Sequence, residues 1–209
     1  MTRMDPITVA ADAGRDSSRS NAVTGLILAG GAGQRMQGRD KGLVEWRGRP
    51  LVAHAAATLR PLVGQLIISC NRHIEDYSAL SDSIVTDLRT GHQGPLAGLE
   101  AAQEVIEAAE LLVAPCDMPG LDAGVYTVLL HALRDDASGG RDAVFLHSGG
   151  RDFFLCMALR RKALTTLTAY LDGGDRSVRG WLATLSAVAV PMTLQSRALH
   201  NVNTIATAG

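Results

Sequence analysis

The chain has 209 residues, of which 46% are hydrophobic and 20% are charged, and its formal net charge at pH 7 is −1. This composition and a mean hydropathy of +0.10 exclude a disordered chain and a membrane-spanning one. The near-zero net charge gives no general attraction to nucleic acid, so neither nucleic acid nor a membrane is expected as a partner. No internal linker rich in Pro, Gly and Ser divides the chain, which favours one domain over two.

The N-terminal region carries scattered charges among small residues, and it contains no apolar run of signal-peptide type. We predict a disordered tail over residues 1–22 and a single domain over residues 23–209. Cys70, Cys116 and Cys156 lie far apart, without metal-binding spacing and without the even count of a disulfide framework. These unpaired cysteines favour a reducing, cytoplasmic location. We also expect the protein to be a monomer.

Short β-type runs alternate with longer amphipathic runs beyond the tail, a pattern typical of a parallel sheet covered by helices on both faces. The predicted strands span residues 23–29, 66–70, 83–86, 111–114, 142–147, 153–159 and 187–191. The predicted helices span residues 50–62, 94–109, 160–171 and 176–184, with another beginning near residue 122. Strands 142–147 and 153–159 are expected to pair with each other. The pattern predicts an α/β fold with a mostly parallel sheet.

A glycine-rich segment follows the first predicted strand. It contains four glycines and two cationic side chains, at Gly30, Gly31, Gly33, Gly38, Arg35 and Lys41. Glycine lets backbone N–H groups approach phosphate oxygens, and the cations supply charge. Gly42 follows Lys41 where a Walker A sequence needs Ser or Thr, and Met36 stands where the dinucleotide fingerprint needs its third glycine. The segment predicts a polyphosphate site of another kind, with a glycine-rich surface turn as the alternative.

Polar residues follow the predicted strands at their carboxyl ends, where ligands bind in open α/β sheets. They are Asn71, Arg72 and His73 after the second strand, Asp87 after the third, and Asp117 after the fourth. Mg²⁺ prefers one or two protein carboxylates together with substrate phosphates, which makes Asp117 the candidate metal ligand. The alternative is that Asp117 caps the following helix or forms an Asx-turn.

Six motifs occur in order over residues 23–204. They are Leu28-Ala29-Gly30-Gly31, Arg35-Met36, Gly38-x-Asp40-Lys41-Gly42, Gly94-Pro95-Leu96-Ala97-Gly98, Pro115-Cys116-Asp117-Met118-Pro119 and Asn201-Val202-Asn203-Thr204. Their order and approximate spacing resemble those of molybdenum cofactor guanylyltransferases. The resemblance implies a three-layer α/β/α sandwich, Rossmann-like and of the nucleotide-diphospho-sugar-transferase type. It also implies transfer of GMP from GTP to molybdenum-molybdopterin, with release of pyrophosphate and formation of the molybdopterin guanine dinucleotide cofactor.

The resemblance further implies roles for individual residues. The implied nucleotide site comprises Leu28, Ala29, Gly30, Gly31, Lys41, Ser69, Asn71 and Asp87, with Asp117 as the Mg²⁺ ligand. Ser69 is a departure, because relatives can present Asn to the nucleotide at this position. Relatives that use CTP more often read Leu-Ala-Ala-Gly in the first motif, so Gly30 favours guanine. Asn201 and Asn203 would bind molybdopterin or support the metal site, with a structural turn as the alternative.

The implied chemistry needs no general base, because a phosphate monoester with a second pKa near 6 is already largely dianionic. Arg35, Lys41 and Asp117 with Mg²⁺ are therefore expected to position the anions and stabilise the developing charge. Transient contacts with molybdenum insertion proteins and apo-molybdoenzymes would follow. Two other functions stay open: a nucleotidyltransferase that uses CTP or a sugar phosphate, and a non-catalytic carrier of the molybdenum cofactor.

Three further features are less specific. Residues 94–98 would present helix N-terminal amides to the pterin or nucleotide, or would only start a helix. Arg176 and Arg179, one helical turn apart, favour contact with an anionic cofactor over a solvated face. The chain also departs from its relatives after Thr204, where they usually have Pro, and shortly after Arg151, where they commonly have Pro.

Overall fold

The structure is a computed structural model that describes residues 9–10, 23–30, 40–91, 93–136 and 139–202. The strands are β1 (Val9–Ala10), β2 (Thr24–Leu28), β3 (Glu45–Trp46), β4 (Arg49–Pro50), β5 (Gln65–Ser69), β6 (Ser83–Val85), β7 (Glu110–Pro115), β8 (Ala143–Ser148), β9 (Arg151–Arg160) and β10 (Ala187–Pro191). The α-helices are α1 (Leu51–Leu59), α2 (Ile74–Ser78), α3 (Pro95–Ala102), α4 (Ala123–Arg134), α5 (Leu167–Asp172) and α6 (Val178–Leu182). Short 3-10 turns span Lys41–Leu43, Arg60–Leu62 and Arg161–Thr166.

Within the described residues, eight strands form one sheet in the order β1-β6-β5-β2-β7-β9-β8-β10. Strands β6, β5, β2, β7, β8 and β10 run parallel to one another, whereas β1 and β9 are antiparallel to their neighbours. Strands β3 and β4 form a separate hairpin. The predicted pairing of strands 142–147 and 153–159 is confirmed by the antiparallel pair β8–β9.

The sheet separates two apolar cores, because successive strand side chains point to opposite faces. In β2, Ile27 packs with α1 and α4, whereas Leu26 and Leu28 pack with α3, α5 and α6 on the other face. Strands β5 and β7 alternate in the same way, and their buried residues form near-continuous apolar runs. Helices therefore cover both faces of a mostly parallel sheet, which confirms the predicted three-layer α/β/α sandwich.

The order in which the chain adds strands to the sheet reverses beside β2. It passes from β2 to β5 and outward to β6, and then returns to form β7 on the opposite side of β2. Leu28 at the carboxyl end of β2 is thereby level with Ser69 on β5 and with Pro115 on β7. Such switch points leave a crevice beyond the carboxyl ends of the strands, where ligands bind in α/β folds.

Helix α3 ends earlier than its sequence pattern indicates. The predicted helix reached residue 109, whereas α3 ends at Ala102. Side chains at the first residues of β5 and β2 bind the segment that follows α3. Gln65 Nε2 donates to the carbonyl oxygen of Val105 at 2.8 Å, and Thr24 Oγ1 accepts from the N–H of Ala108 at 3.4 Å. These tertiary hydrogen bonds replace the backbone bonds that a longer helix would make.

Besides the 3-10 turn Lys41–Leu43, three further short elements were not predicted. The β3–β4 hairpin turns through Arg47 and Gly48, whose φ values of 52° and 74° are those of a tight two-residue hairpin turn. Helix α2 follows the loop after β5, and β1 pairs with the outer edge of β6. The rest of the predicted tail, residues 1–8 and 11–22, lies outside the described residues. In the part of the chain that the structure describes, no helix combines the length and apolar character needed to span a bilayer.

Candidate active site

Backbone hydrogen bonds bring the ends of four parallel strands to one edge. The N–H of Ala29 donates to the carbonyl oxygen of Ser69 at 2.9 Å, and the N–H of Cys70 donates to that of Val85 at 3.0 Å. On the other side of β2, the N–H of Cys116 donates to the carbonyl oxygen of Leu28 at 3.3 Å. The polar residues that follow β2, β5, β6 and β7 therefore begin at neighbouring points of the same edge.

Lys41, Asp117 and Asn201 meet at the switch point. Lys41 Nζ lies 2.6 Å from Asp117 Oδ2, and Asn201 Nδ2 donates to the same oxygen at 3.1 Å. The N–H of Val202 donates to the carbonyl oxygen of Asp117 at 2.9 Å and so fixes the C-terminal segment against this loop. The Lys41 and Asp117 side chains are 26% and 16% exposed, which leaves the pair reachable by a ligand yet shielded from bulk water.

The capping alternative for Asp117 is wrong. Asp122 caps α4, because its Oδ1 accepts from the N–H of Val125 at 3.2 Å. The Asp117 carboxylate instead faces Lys41 and Asn201, from segments 76 and 84 residues away in sequence. Asp117 is thus available for charge chemistry at the edge of the sheet.

Asn71 and Asp87 form a second polar pair, on the β5–β6 side of the edge. Asn71 Nδ2 donates to Asp87 Oδ2 at 2.8 Å, and the N–H of Asp87 donates to Asn71 Oδ1 at 2.9 Å. Gly30 lies against this pair, since a Cβ at residue 30 would be 3.3 Å from Asn71 Nδ2. Glycine at this position keeps the surface next to the Asn71 amide open. Five of the predicted nucleotide and metal residues therefore lie along one crevice edge: Gly30, Lys41, Asn71, Asp87 and Asp117.

Comparison with known proteins identifies the family. The family model described as the MobA-like NTP transferase domain matches residues 25–188. A molybdenum cofactor guanylyltransferase from Ectopseudomonas mendocina (strain ymp) is 41% identical over 181 residues, covering 86% of this chain and 86% of its own. A protein of the same name from Pseudomonas syringae pv. tomato is 43% identical over 181 residues, covering 86% and 88%. The chain belongs to the MobA-like NTP transferase family. The resemblance found in the six motifs is thereby confirmed.

Solved structures agree with the MobA-like fold. Molybdopterin-guanine dinucleotide biosynthesis protein A from Archaeoglobus fulgidus superposes with a TM-score of 0.70 at 23% identity, covering 89% of this chain and 95% of its own. CMP:2-keto-3-deoxy-manno-octonic acid synthetase complexed with CTP gives 0.66 at 15% identity, covering 90% and 95%. These likenesses confirm the predicted fold of the nucleotide-diphospho-sugar-transferase type.

Other predicted residues of this MobA-like chain lie beneath the crevice. Leu28, Ala29 and Ser69 are 8%, 5% and 1% exposed. The Leu28 side chain packs into the core on the α3 side of the sheet. Its contribution to a nucleotide site would therefore come from its backbone and from the shape that it gives the crevice floor. Gly98 on α3 completes this floor, because a Cβ there would lie only 2.4 Å from Ser69 Oγ.

We expect the variant Gly98→Ala to be less stable than the parent chain. The added Cβ would meet Leu28 Cδ2 at 3.0 Å as well as the Ser69 hydroxyl at 2.4 Å, and both neighbours are buried. This overpacking outweighs the gain of about 1 kcal/mol in helix propensity and lowers Tm by roughly 2–8 °C. Thermal unfolding of Gly98→Ala and of the parent chain measures this difference in Tm. The pair Gly98→Ala/Ser69→Ala should recover part of the loss, and an unchanged Tm for Gly98→Ala would contradict this packing.

The cysteines supply no nucleophile. Burial raises the pKa of Cys116, next to Asp117, to about 12, and it likewise raises the pKa of Cys70 and of Cys156 to about 12. All three are free, buried thiols in the described residues. A thiol with such a pKa remains protonated at neutral pH and does not attack phosphorus.

Five predicted positions fall outside the part of the chain that the structure describes, and one predicted helical pair does not form. Gly31, Gly33, Arg35, Gly38 and Asn203 lie outside the described residues. The prediction that Arg176 and Arg179 lie one turn apart on a helix is wrong, because Arg176 precedes α6. The Arg176 guanidinium donates one hydrogen bond to Gln93 Oε1 and another, of 2.7 Å, to the carbonyl oxygen of Leu171. These bonds connect the segment before α3 to the end of α5.

Two supports of the site escaped sequence analysis. Tyr77 on α2 donates a hydrogen bond to Asp40, the residue before Lys41. Arg89, two residues after Asp87, forms a bidentate ion pair with the buried Glu100 on α3. Asp40 lies inside a recognised motif, which is a signal for that residue. A lone aromatic residue and a lone arginine carry no comparable signal, because their partners are distant in sequence.

Proposed function

We propose that this chain transfers GMP from GTP to molybdenum-molybdopterin, releasing pyrophosphate and forming the molybdopterin guanine dinucleotide cofactor. The observation that carries the proposal is the Lys41–Asp117–Asn201 cluster at the switch point of the sheet. It combines a fixed cation and a carboxylate at the place where α/β folds bind nucleotides. The chain that forms it is 41–43% identical to proteins named molybdenum cofactor guanylyltransferase.

The reaction joins two anions, so electrostatics sets the main barrier. A terminal phosphate oxygen of molybdopterin forms a new bond to the α-phosphorus of GTP, and the bond from that phosphorus to the oxygen of the departing pyrophosphate breaks. The attacking phosphate monoester has a second pKa of about 6 and needs no base at neutral pH. Lys41 offers a point charge to the triphosphate, and the residues of the crevice hold the reactants in line.

The donor set at Asp117 fits a magnesium ion held jointly with substrate. Among the described residues, no cluster of three or more His, Cys, Asp or Glu side chains could hold a metal by itself. Mg²⁺ characteristically binds through one or two carboxylates and completes its shell with water and phosphate oxygens. Asp117 would hold the ion, which would neutralise charge on the triphosphate. Asn201, bonded to the same carboxylate, would orient it.

Gly30 and the Asn71–Asp87 pair form the opposite side of the proposed nucleotide site. The two side chains brace each other through two hydrogen bonds, and Gly30 leaves the space beside Asn71 open. Guanine is the proposed base, on the strength of the Leu28-Ala29-Gly30 motif and the names of the relatives. The buried thiols also suit a reducing compartment, and we infer that the protein works in the cytoplasm.

The test is pyrophosphate release by the purified chain with Mg²⁺ and molybdenum-loaded molybdopterin, with GTP and CTP supplied in parallel. We expect release with GTP alone and its loss when a chelator removes Mg²⁺. Release with CTP alone would keep the mechanism and overturn the base assignment. GTP binding without pyrophosphate release would contradict the proposed enzymatic activity and indicate a non-catalytic carrier of the molybdenum cofactor.

A further inference from the structure

A buried tyrosine supports the turn that carries Lys41. Tyr77 is 0% exposed, and its hydroxyl donates to Asp40 Oδ1 at 2.5 Å. The same oxygen accepts from the N–H of Gly42 at 3.2 Å and thereby caps the 3-10 turn Lys41–Leu43. Asp40 thus links the phenol hydroxyl of Tyr77 to the turn whose first residue is Lys41.

Close packing at Gly42 adds a second contact between the turn and the tyrosine. A Cβ at Gly42 would lie 2.4 Å from the Tyr77 hydroxyl oxygen and 3.0 Å from its Cε1. The ring cannot move away freely, because it packs into the core formed by α1, α4 and one face of the sheet. The Lys41 turn therefore rests directly on the Tyr77 ring, and glycine is required for that approach.

The Tyr77–Asp40 hydrogen bond joins two sides of the crevice. Tyr77 belongs to α2, which begins three residues after Asn71, whereas Asp40 belongs to the segment after β2. Burial and then the Asp40 carboxylate raise the pKa of the Tyr77 hydroxyl above its usual range, so it remains a donor at neutral pH. Hydrogen bonds to a charged acceptor are shorter and stronger than neutral ones, which suits a bond that must fix a short turn.

We propose that Tyr77, acting through Asp40, is a positioning residue that holds the Lys41 ammonium group beside Asp117 for binding of the triphosphate. The inference rests on the proposed function, since it assigns to Lys41 a contact with the nucleotide. Tyr77 does not touch substrate in this proposal. Its hydroxyl restricts the Lys41 turn, so that the cation is already placed when the nucleotide arrives and less ordering is needed on binding.

The test is a double-mutant cycle between Tyr77→Phe and Lys41→Ala, measured as the GTP dissociation constant and as pyrophosphate release. Tyr77→Phe keeps the buried ring and removes only the hydroxyl. We expect it to lower kcat/KM for GTP about tenfold and to weaken GTP binding several-fold. In the Lys41→Ala background it should change GTP affinity less than about twofold, because the residue through which it acts is gone.

Tyr170→Phe is the matched control. Tyr170 packs on the face of the sheet opposite Tyr77, and its hydroxyl donates to the carbonyl oxygen of Ser177 at 3.1 Å, so the control loses one tyrosine hydrogen bond away from the Lys41 turn. It should leave GTP affinity unchanged, and thermal unfolding should show all variants folded. Equal losses from Tyr77→Phe in both backgrounds, or no loss in either, would overturn the positioning role. If the wild type binds GTP but releases no pyrophosphate, the proposed function fails and coupling in GTP affinity still decides the role of Tyr77. Absence of GTP binding by the wild type would overturn both.

Discussion

Replacing Asp117 with Ala is expected to lower the rate of pyrophosphate release roughly 1,000-fold or more while leaving the protein folded. The substitution removes the carboxylate that contacts Lys41 at 2.6 Å and Asn201 at 3.1 Å, and with it the proposed magnesium ligand. The side chain is 16% exposed and lies at the rim of the sheet, so its loss opens little core volume. The measurement is steady-state pyrophosphate release with GTP and Mg²⁺, accompanied by thermal unfolding.

Asp122→Ala provides the matched control for this prediction. Asp122 lies five residues further along the same loop, but its carboxylate caps α4 through the N–H of Val125. Its loss should lower stability by about 1 kcal/mol and Tm by roughly 2–4 °C, with the rate of pyrophosphate release retained. If Asp117→Ala keeps more than about a tenth of the wild-type rate, its assignment to charge stabilisation is wrong. If it instead fails to fold, Asp117 is structural.

Replacing Arg89 with Met is expected to destabilise the protein by about 3–5 kcal/mol, because it leaves a buried carboxylate without its partner. Arg89 Nε and Nη2 contact the two carboxylate oxygens of Glu100 at 2.6 and 2.7 Å, and Nη1 contacts Asp172 Oδ1 at 2.7 Å. Glu100 is only 4% exposed, so water cannot replace the guanidinium. For a chain of this length the loss corresponds to a Tm lower by roughly 6–20 °C, measured by thermal unfolding.

Two comparison variants separate this effect from the loss of any surface charge. Arg60 forms an ion pair of similar length, 2.7 Å, with Asp82, but the two side chains are 44% and 46% exposed. Arg60→Met should therefore cost no more than about 1 kcal/mol. The pair Arg89→Met/Glu100→Met should recover much of the loss, since no buried charge remains. Similar Tm values for Arg60→Met and Arg89→Met would contradict the importance of the buried pair.

The Arg89 pair also bears on the crevice. Arg89 lies two residues after Asp87 and binds both α3, through Glu100, and α5, through Asp172. It therefore fixes the loop after β6 against the helices on that face of the sheet. This ion pair could not be predicted from the sequence, because neither Arg89 nor Glu100 belongs to a motif and the bond between them depends on how α3 packs.

The α/β class, and the places where polar side chains follow the strands, could be predicted from local sequence patterns. Apolar runs such as those of β5 and β7 have the continuous character of strands buried on both faces, and this property is local. The family motifs likewise mark Lys41 and Asp117 without any knowledge of their contact. The end of α3 at Ala102 escaped prediction because side chains of β2 and β5 compete for the chain beyond it.

Which of these residues contact one another depends on how the strands and helices pack. Lys41 and Asp117 are 76 residues apart, and Asp40 and Tyr77 are 37 apart. Their contacts depend on β2 lying between β5 and β7, an order that no local pattern encodes because hydrophobic periodicity identifies a buried strand but not its neighbours. The same packing assigned the helix cap to Asp122 rather than Asp117 and placed a buried tyrosine beneath the lysine turn. Burial and long-range hydrogen bonding arise only when the layers pack, so these assignments required the folded chain.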